Sequence, residues 1–249
     1  MGKYKKLLSN TAILGAGTFT SKVLVFLLMP LYTALLSTEQ YGTADILTQT
    51  ANLLIPLAAL GIGDGLFRFA LDADERRRRQ IFTSALAVIT LGALPLAAII
   101  QALRLIDIYD GYIWLVFAYV CCANLHSVCA NYIRACGKTG VFALQGIANT
   151  ALTILLNVLF LVVFDMGVLG YVLSVALADI TVTLGLILTC KLYRHIELGR
   201  AEKGLLPDML KFSIPYIPTT LMWMITSASD RFIVTAICGT AENGLYAAA

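Results

Sequence analysis

The sequence predicts an all-α fold, a polytopic transmembrane helix bundle, and two observations carry that reading. Only 13% of the 249 residues are charged and 59% are hydrophobic, whereas an average soluble domain carries about 25% charged residues, so there are too few charges to cover a water-facing surface. The apolar residues also come in long blocks, and the mean hydropathy is +0.83. Blocks of about 20 residues cross roughly 30 Å of hydrocarbon as helices, the form in which a single segment satisfies its own backbone polar groups.

Taken in order, spans are expected near residues 11 to 36, 44 to 67, 81 to 103, 113 to 133, 141 to 163, 170 to 190 and 213 to 238, with an eighth opening at GLYAAA. The first is too long for a signal-peptide core and has no A-x-A cleavage site at the right distance, so it stays in the membrane. It holds Lys22, eleven residues after Thr11 and so about 16 Å along a helix. That is beyond the reach of a lysine stem to the interface, which favours a wet cavity over a structural ion pair. Pro30 follows and can bend the helix. The second span contains GIGDG, Gly61 to Gly65; no strand precedes it, so close helix packing or a local bend explains it better than a nucleotide loop. Asp64 and Arg68 are four residues apart near its end, a spacing that suits an ion pair, and Arg68 is also placed to snorkel.

The third span follows the run Arg76 to Arg79. The fourth carries His126 and Asn124, with Cys122, Cys129 and Cys136 recurring on one face, as small residues at a helix contact do. None of the six cysteines forms a C-x-x-C pair or has a His cluster beside it, which argues against a metal or redox site. The fifth holds Asn149 and Asn157, and the sixth Asp179 in mid-span. The charged, Gly- and Pro-containing segment 191 to 212 reads as a cytoplasmic connector, partly an amphipathic surface helix. The seventh span carries Asp230 and Arg231 about eight residues from its outer end.

Three domains of organisation follow: an N-terminal six-helix lobe over 1 to 190, the connector over 191 to 212, and the start of a second lobe over 213 to 249. The turns TALLSTEQYG and TAICGTAENGLY echo one another, which fits a parallel repeat of six helices. Ending at Ala249, a few residues into a helix, the chain reads as a fragment of a longer protein. Placing the N-terminus in the cytoplasm puts 14 basic residues inside and only Arg104 outside, in accord with the positive-inside rule.

Ionisable groups at membrane depth cost roughly 2.5–3.5 kcal/mol each on insertion scales and are by default candidates for function. Besides Lys22, Arg68 and Arg231, these are Asp45, Asp64, Asp179, Asp230 and His126. His126, Asp179 and Asp230 are candidates for coupling to a proton or sodium ion, the alternative for His126 and Asp179 being interhelical hydrogen bonds. No catalytic or metal-binding residue, cofactor or nucleic-acid partner is expected.

The opening NTAILGAGTFTSKVLVFLLMPLYTALLSTEQYGTADIL, the segment LIPLAALGIGDGLFRF, and KFSIPYIPTTL with SDRFIV and GLY resemble the polysaccharide-biosynthesis branch of the multidrug, oligosaccharidyl-lipid and polysaccharide exporter superfamily. The resemblance covers the whole chain and is most specific in the order S-K-x-x-x-F-x-x-x-P-L-Y-T and in S-D-R-F. It implies two six-helix lobes around a central cavity, a lobe of MATE-like form, and a bacterial inner-membrane flippase for polyprenyl-pyrophosphate-linked oligosaccharides. Lys22, Arg68 and Arg231 match positions of the cationic, substrate-binding kind in such members, and the partners implied are the lipid-linked glycan and membrane lipids. The alternative within the superfamily is a multidrug or cation antiporter, whose substrates call for carboxylates such as Asp45 and Asp179. A membrane ligase or polymerase would need a large outer loop, and the outer loops are short, so the chain does not read as an enzyme.

Overall fold

The computed structural model describes residues 32–104, 109, 111–197 and 204–248, together with residues 15, 19, 23, 29 and 30. Lys22 and most of the first expected span lie outside the described residues. The described elements are all helical: α1 (Thr38–Ala58), α2 (Ile62–Leu71), α3 (Glu75–Leu103), α4 (Ile113–Ala135), α5 (Thr139–Asn157), α6 (Gly167–Thr189), α7 (Leu205–Ser213), α8 (Ile217–Cys238) and α9 (Thr240–Ala248). Among the described residues five stretches are long and apolar enough to cross a membrane, and α1 with α2, bent by 51°, makes a sixth if the pair is one span. The chain is a multi-pass membrane protein. Its two ends differ in charge: Arg76 to Arg79 lie at a basic end, and Glu39 lies at an acidic one.

Local chemistry sets the boundaries. Ser37 begins α1 with a reciprocal cap: the Gln40 backbone N–H donates to Ser37 Oγ at 3.1 Å, and the Ser37 N–H donates to Gln40 Oε1 at 3.1 Å. Two of the free donors of the first turn are thereby satisfied. The second span, expected as one helix from 44 to 67, is instead two. Pro56 lies in the last turn of α1, and Leu60 and Gly61 take φ of 49° and 63°, a left-handed step that no helix continues through. Asn124 of α4 donates to the Ile55 carbonyl at 3.3 Å, beside the break. At the basic end Asp74 caps α3 through the Arg77 N–H at 2.8 Å, and the Arg78 guanidinium donates to the carbonyls of Ala70 and Ala73, both at 3.0 Å.

Within GIGDG, Gly61 and Gly65 lie against α7: a Cβ on Gly65 would sit 2.3 Å from Ser213 Oγ. The cluster is thus both bend and close contact. The Asp64–Arg68 pair does not form; Arg68 turns the other way along its helix and pairs with Asp72 at 3.2 Å, where both side chains reach water. All six cysteines are free thiols.

Residues 191–197, the described first part of the expected connector, are fastened to the bundle. The Tyr132 hydroxyl shares a 2.7 Å hydrogen bond with His195 Nδ1, the Glu197 N–H donates to Thr83 Oγ1 at 2.9 Å, and Arg76 pairs with Glu197 at 3.7 Å. Burial, helped by the nearby Arg79 and Lys138 charges, lowers the His195 pKa from its ordinary value. The connector then becomes α7, whose Leu205 and Met209 are buried, and passes through a short 3-10 turn, Ile214–Tyr216, into α8. The eighth span opens earlier than expected, at Thr240 rather than at Gly244, because Gly239 at φ 108° turns the chain from α8 into α9 in one residue.

Core residues divide by depth. Ile62, Leu66, Ile81, Phe82, Tyr132 and Met209 pack in the basic half; Ile46, Leu47, Ile100, Ile113 and Val120 belong to a second group in the acidic half. Where α1 crosses α9 no side chain intervenes. A Cβ on Gly42 would lie 1.8 Å from the Thr240 carbonyl oxygen, and a Cβ on Gly244 would lie 1.8 Å from the Thr38 carbonyl oxygen. Gly42→Ala is therefore expected to destabilise the full-length protein by about 2 kcal/mol, seen as a lower melting temperature in detergent. Gly146→Ala, whose Cβ meets open space, should change it little.

Candidate functional site

Polar side chains at membrane depth gather in two clusters. The first is at the α1–α9 crossing: Asp45 lies three residues after Gly42, on the same face of α1, and is buried with it. Its Oδ1 meets Arg231 Nη1 of α8 at 2.5 Å and accepts from Gln49 Nε2 at 3.3 Å. Its Oδ2 accepts from Asn243 Nδ2 of α9 at 3.3 Å, and the same nitrogen is 3.2 Å from the Gly42 carbonyl. The side chain of Asp45 keeps 10% of its surface exposed and that of Arg231 26%. Asp230, next to Arg231, turns away: its Oδ1 accepts the Arg231 backbone N–H at 2.9 Å, and its Oδ2 accepts from the Tyr246 hydroxyl.

The second cluster is enclosed by α4, α5 and α6. Asn149 donates to Asp179 Oδ1 at 2.9 Å, His126 Nδ1 is 3.2 Å from Thr183 Oγ1, and that hydroxyl donates to the Asp179 carbonyl at 2.6 Å. Asp179 is 6% exposed and Thr183 is fully buried. A buried carboxylate beside an imidazole and an amide can accept a proton or attract a small cation, and its hydrogen bonds also join three helices.

Of the residues singled out in the sequence, His126 and Asp179 come together, while Asp230 belongs to the other cluster. Arg68 stands at the basic end, pairing with Asp72 on a cavity of 580 Å³ also lined by Phe69, Asp74, Arg77 and Phe212. Along α1 and α2 that is a path of about 35 Å from Asp45, at 1.5 Å per residue. Arg134 lies over the rings of Phe67 and Phe142, 4.5 and 5.3 Å from their centroids. Among the described residues no three His, Cys, Asp or Glu side chains converge as a metal site.

Asn243 and Tyr246 were not singled out by the sequence, although they sit in the turn that echoes STEQYG. Asp45 was, as a carboxylate for a cationic substrate; its pairing with a residue 186 positions away has no local signal.

A bent second span, glycine-tight helix crossings and an ion pair between helices far apart in sequence define a polytopic helical bundle. The chain belongs to the polysaccharide biosynthesis protein family, whose model matches residues 7–249. Among solved structures it is similar to the MATE multidrug transporter DinF-BH, with a TM-score of 0.74 and 21% identity over 98% of this chain and 59% of that one. A second solved chain, described as protein A, aligns with a TM-score of 0.69 and 19% identity over the same shares. At these identities the likeness is one of fold, and the chain spans 59% of the length of both. No curated protein sequence matches it.

Removing the arginine would take away the only positive charge paired with the Asp45 carboxylate among the described residues, leaving it the amide donors of Asn243 and Gln49. Arg231→Ala is expected to destabilise the full-length protein by ~3–5 kcal/mol, and Asp45→Ala combined with Arg231→Ala by less than Arg231→Ala alone, as measured by denaturant titration in detergent.

Proposed function

We propose that the protein flips polyprenyl-pyrophosphate-linked oligosaccharides from the cytoplasmic to the outer leaflet of a bacterial inner membrane, by alternating access, for cell-surface polysaccharide export. The observation that carries this reading is the family match over residues 7–249 in a chain that keeps arginine at membrane depth, in α8. A pyrophosphate head cannot cross hydrocarbon unaided, because desolvating its charge costs far more than any single contact returns. Fixed cations in a water-filled cavity offset that penalty, with Arg supplying paired donors and Lys a compact charge. Lys22, Arg68 and Arg231 are assigned that role, and the polyprenyl tail stays in lipid. The protein is thus a transporter and not an enzyme.

In this reading residues 1 to 190 form one lobe, 191 to 212 the connector, and 213 to 249 the start of the other, with the N-terminus and the basic end in the cytoplasm. The excess of basic residues at that end supports the orientation. His126 and Asp179 are assigned to a coupling proton or sodium ion; Asp230, held by Tyr246, is the third candidate.

One observation favours the alternative, a multidrug or cation antiporter: the buried Asp179–Asn149 contact is a carboxylate site of the sort a cation would seek, and the fold is shared with a multidrug transporter. A complementation assay separates the two. In the complete gene, Lys22→Ala is expected to abolish export of a pyrophosphate-linked glycan while Lys22→Arg retains part of it. Unaltered export in Lys22→Ala, or efflux of a cationic dye in place of glycan export, would sink the flippase reading.

A further inference from the structure

Arg231 already has an anion. Its guanidinium meets Asp45 at 2.5 Å, and the same carboxylate reaches Asn243, so one side chain on α1 holds both α8 and α9. The α1–α9 crossing has its own backbone contacts besides this pair. One sequence offset relates Thr38 to Thr240 and Gly42 to Gly244, and the close contacts between them are reciprocal, so the backbone crossing has local two-fold character. Under the same offset Asp45 corresponds to Ala247 and Arg231 to Met29. The ion pair is therefore a one-sided addition to a crossing that is otherwise matched on both sides.

We infer that Asp45 is an internal counter-anion that locks the α1–α8–α9 junction, and that the anionic head of a substrate releases the lock by taking Arg231 from it. The second half of this inference rests on the function proposed above. Two features suit Asp45 to an exchange of this sort. A pyrophosphate offers more charge than one carboxylate, and oxygen pairs that fit the guanidinium fork. Asp45, once released, keeps the donors of Asn243 and Gln49, so letting go of Arg231 does not leave it without hydrogen bonds. A neutral or cationic solute gains nothing from Arg231 and leaves the junction closed, so the lock is also a filter for charge.

The test reads opening directly. In the full-length protein in liposomes, with the six native cysteines replaced, Ala247→Cys serves as reporter, since Ala247 is 7% exposed on α9. A membrane-impermeant maleimide should label it slowly. Asp45→Ala, and Asp45→Asn as a variant that preserves volume, should speed labelling about tenfold, and exchanging the charges with Asp45→Arg and Arg231→Asp should slow it again. Geranyl pyrophosphate should accelerate labelling of the reporter protein severalfold, and geraniol should not. Labelling that stays slow in both Asp45 variants overturns the lock and leaves the flippase reading untouched. Fast labelling in those variants with no response to geranyl pyrophosphate overturns the trigger, and with it the pyrophosphate substrate.

Discussion

The close approach of two backbones, α1 and α9 at Gly42 and Gly244, is the constraint on which the surrounding arrangement depends. Nothing larger than hydrogen fits at either position, so the helices meet main chain to main chain. At that distance Asn243 can reach both the Gly42 carbonyl and Asp45, and Arg231 on the neighbouring α8 can reach the same carboxylate. In hydrocarbon there is little hydrophobic gain in bringing helices together, so packing and polar contacts carry the association. Both kinds are concentrated at this crossing, and the two glycines come first because the polar groups are in reach only once the backbones touch.

The second polar cluster solves a different problem. His126, Asn149, Asp179 and Thr183 join α4, α5 and α6 through short hydrogen bonds, far in sequence from α8 and α9. One cluster ties neighbouring spans of the larger helical group to each other. The other ties that group to the helices beyond the connector. Charge is treated accordingly: the Asp179 carboxylate accepts from the Asn149 amide, while Asp45 is matched by a full positive charge.

Much of the architecture was legible in the sequence because it depends on properties that are local. Apolar block length marked the spans, but the fastening of His195 and Glu197 by Tyr132, Thr83 and Arg76 could not be read. The bend at Leu60 and Gly61 was only half visible: GIGDG suggested packing or a bend, and it does both. Arg68 illustrates the limit of spacing arguments, since Asp64 and Asp72 are both four residues away and the water at the helix end decides between them. The depth of Arg231 followed from its position in the span. Its partner did not, because which face a residue turns is set by packing between helices separated by most of the chain.

The broken span has a mechanical meaning. α1 packs against α3, α4, α6, α8 and α9, and α2 against α3, α4 and α7, so the two halves share α3 and α4 but differ in that α6, α8 and α9 lie against α1 and α7 against α2. A continuous helix would pass any tilt imposed at one membrane surface straight through to the other. Here the left-handed step at Leu60 and Gly61 replaces the regular ladder with turn hydrogen bonds, which leaves a joint between α1, against which α8 and α9 pack, and α2, against which α7 packs.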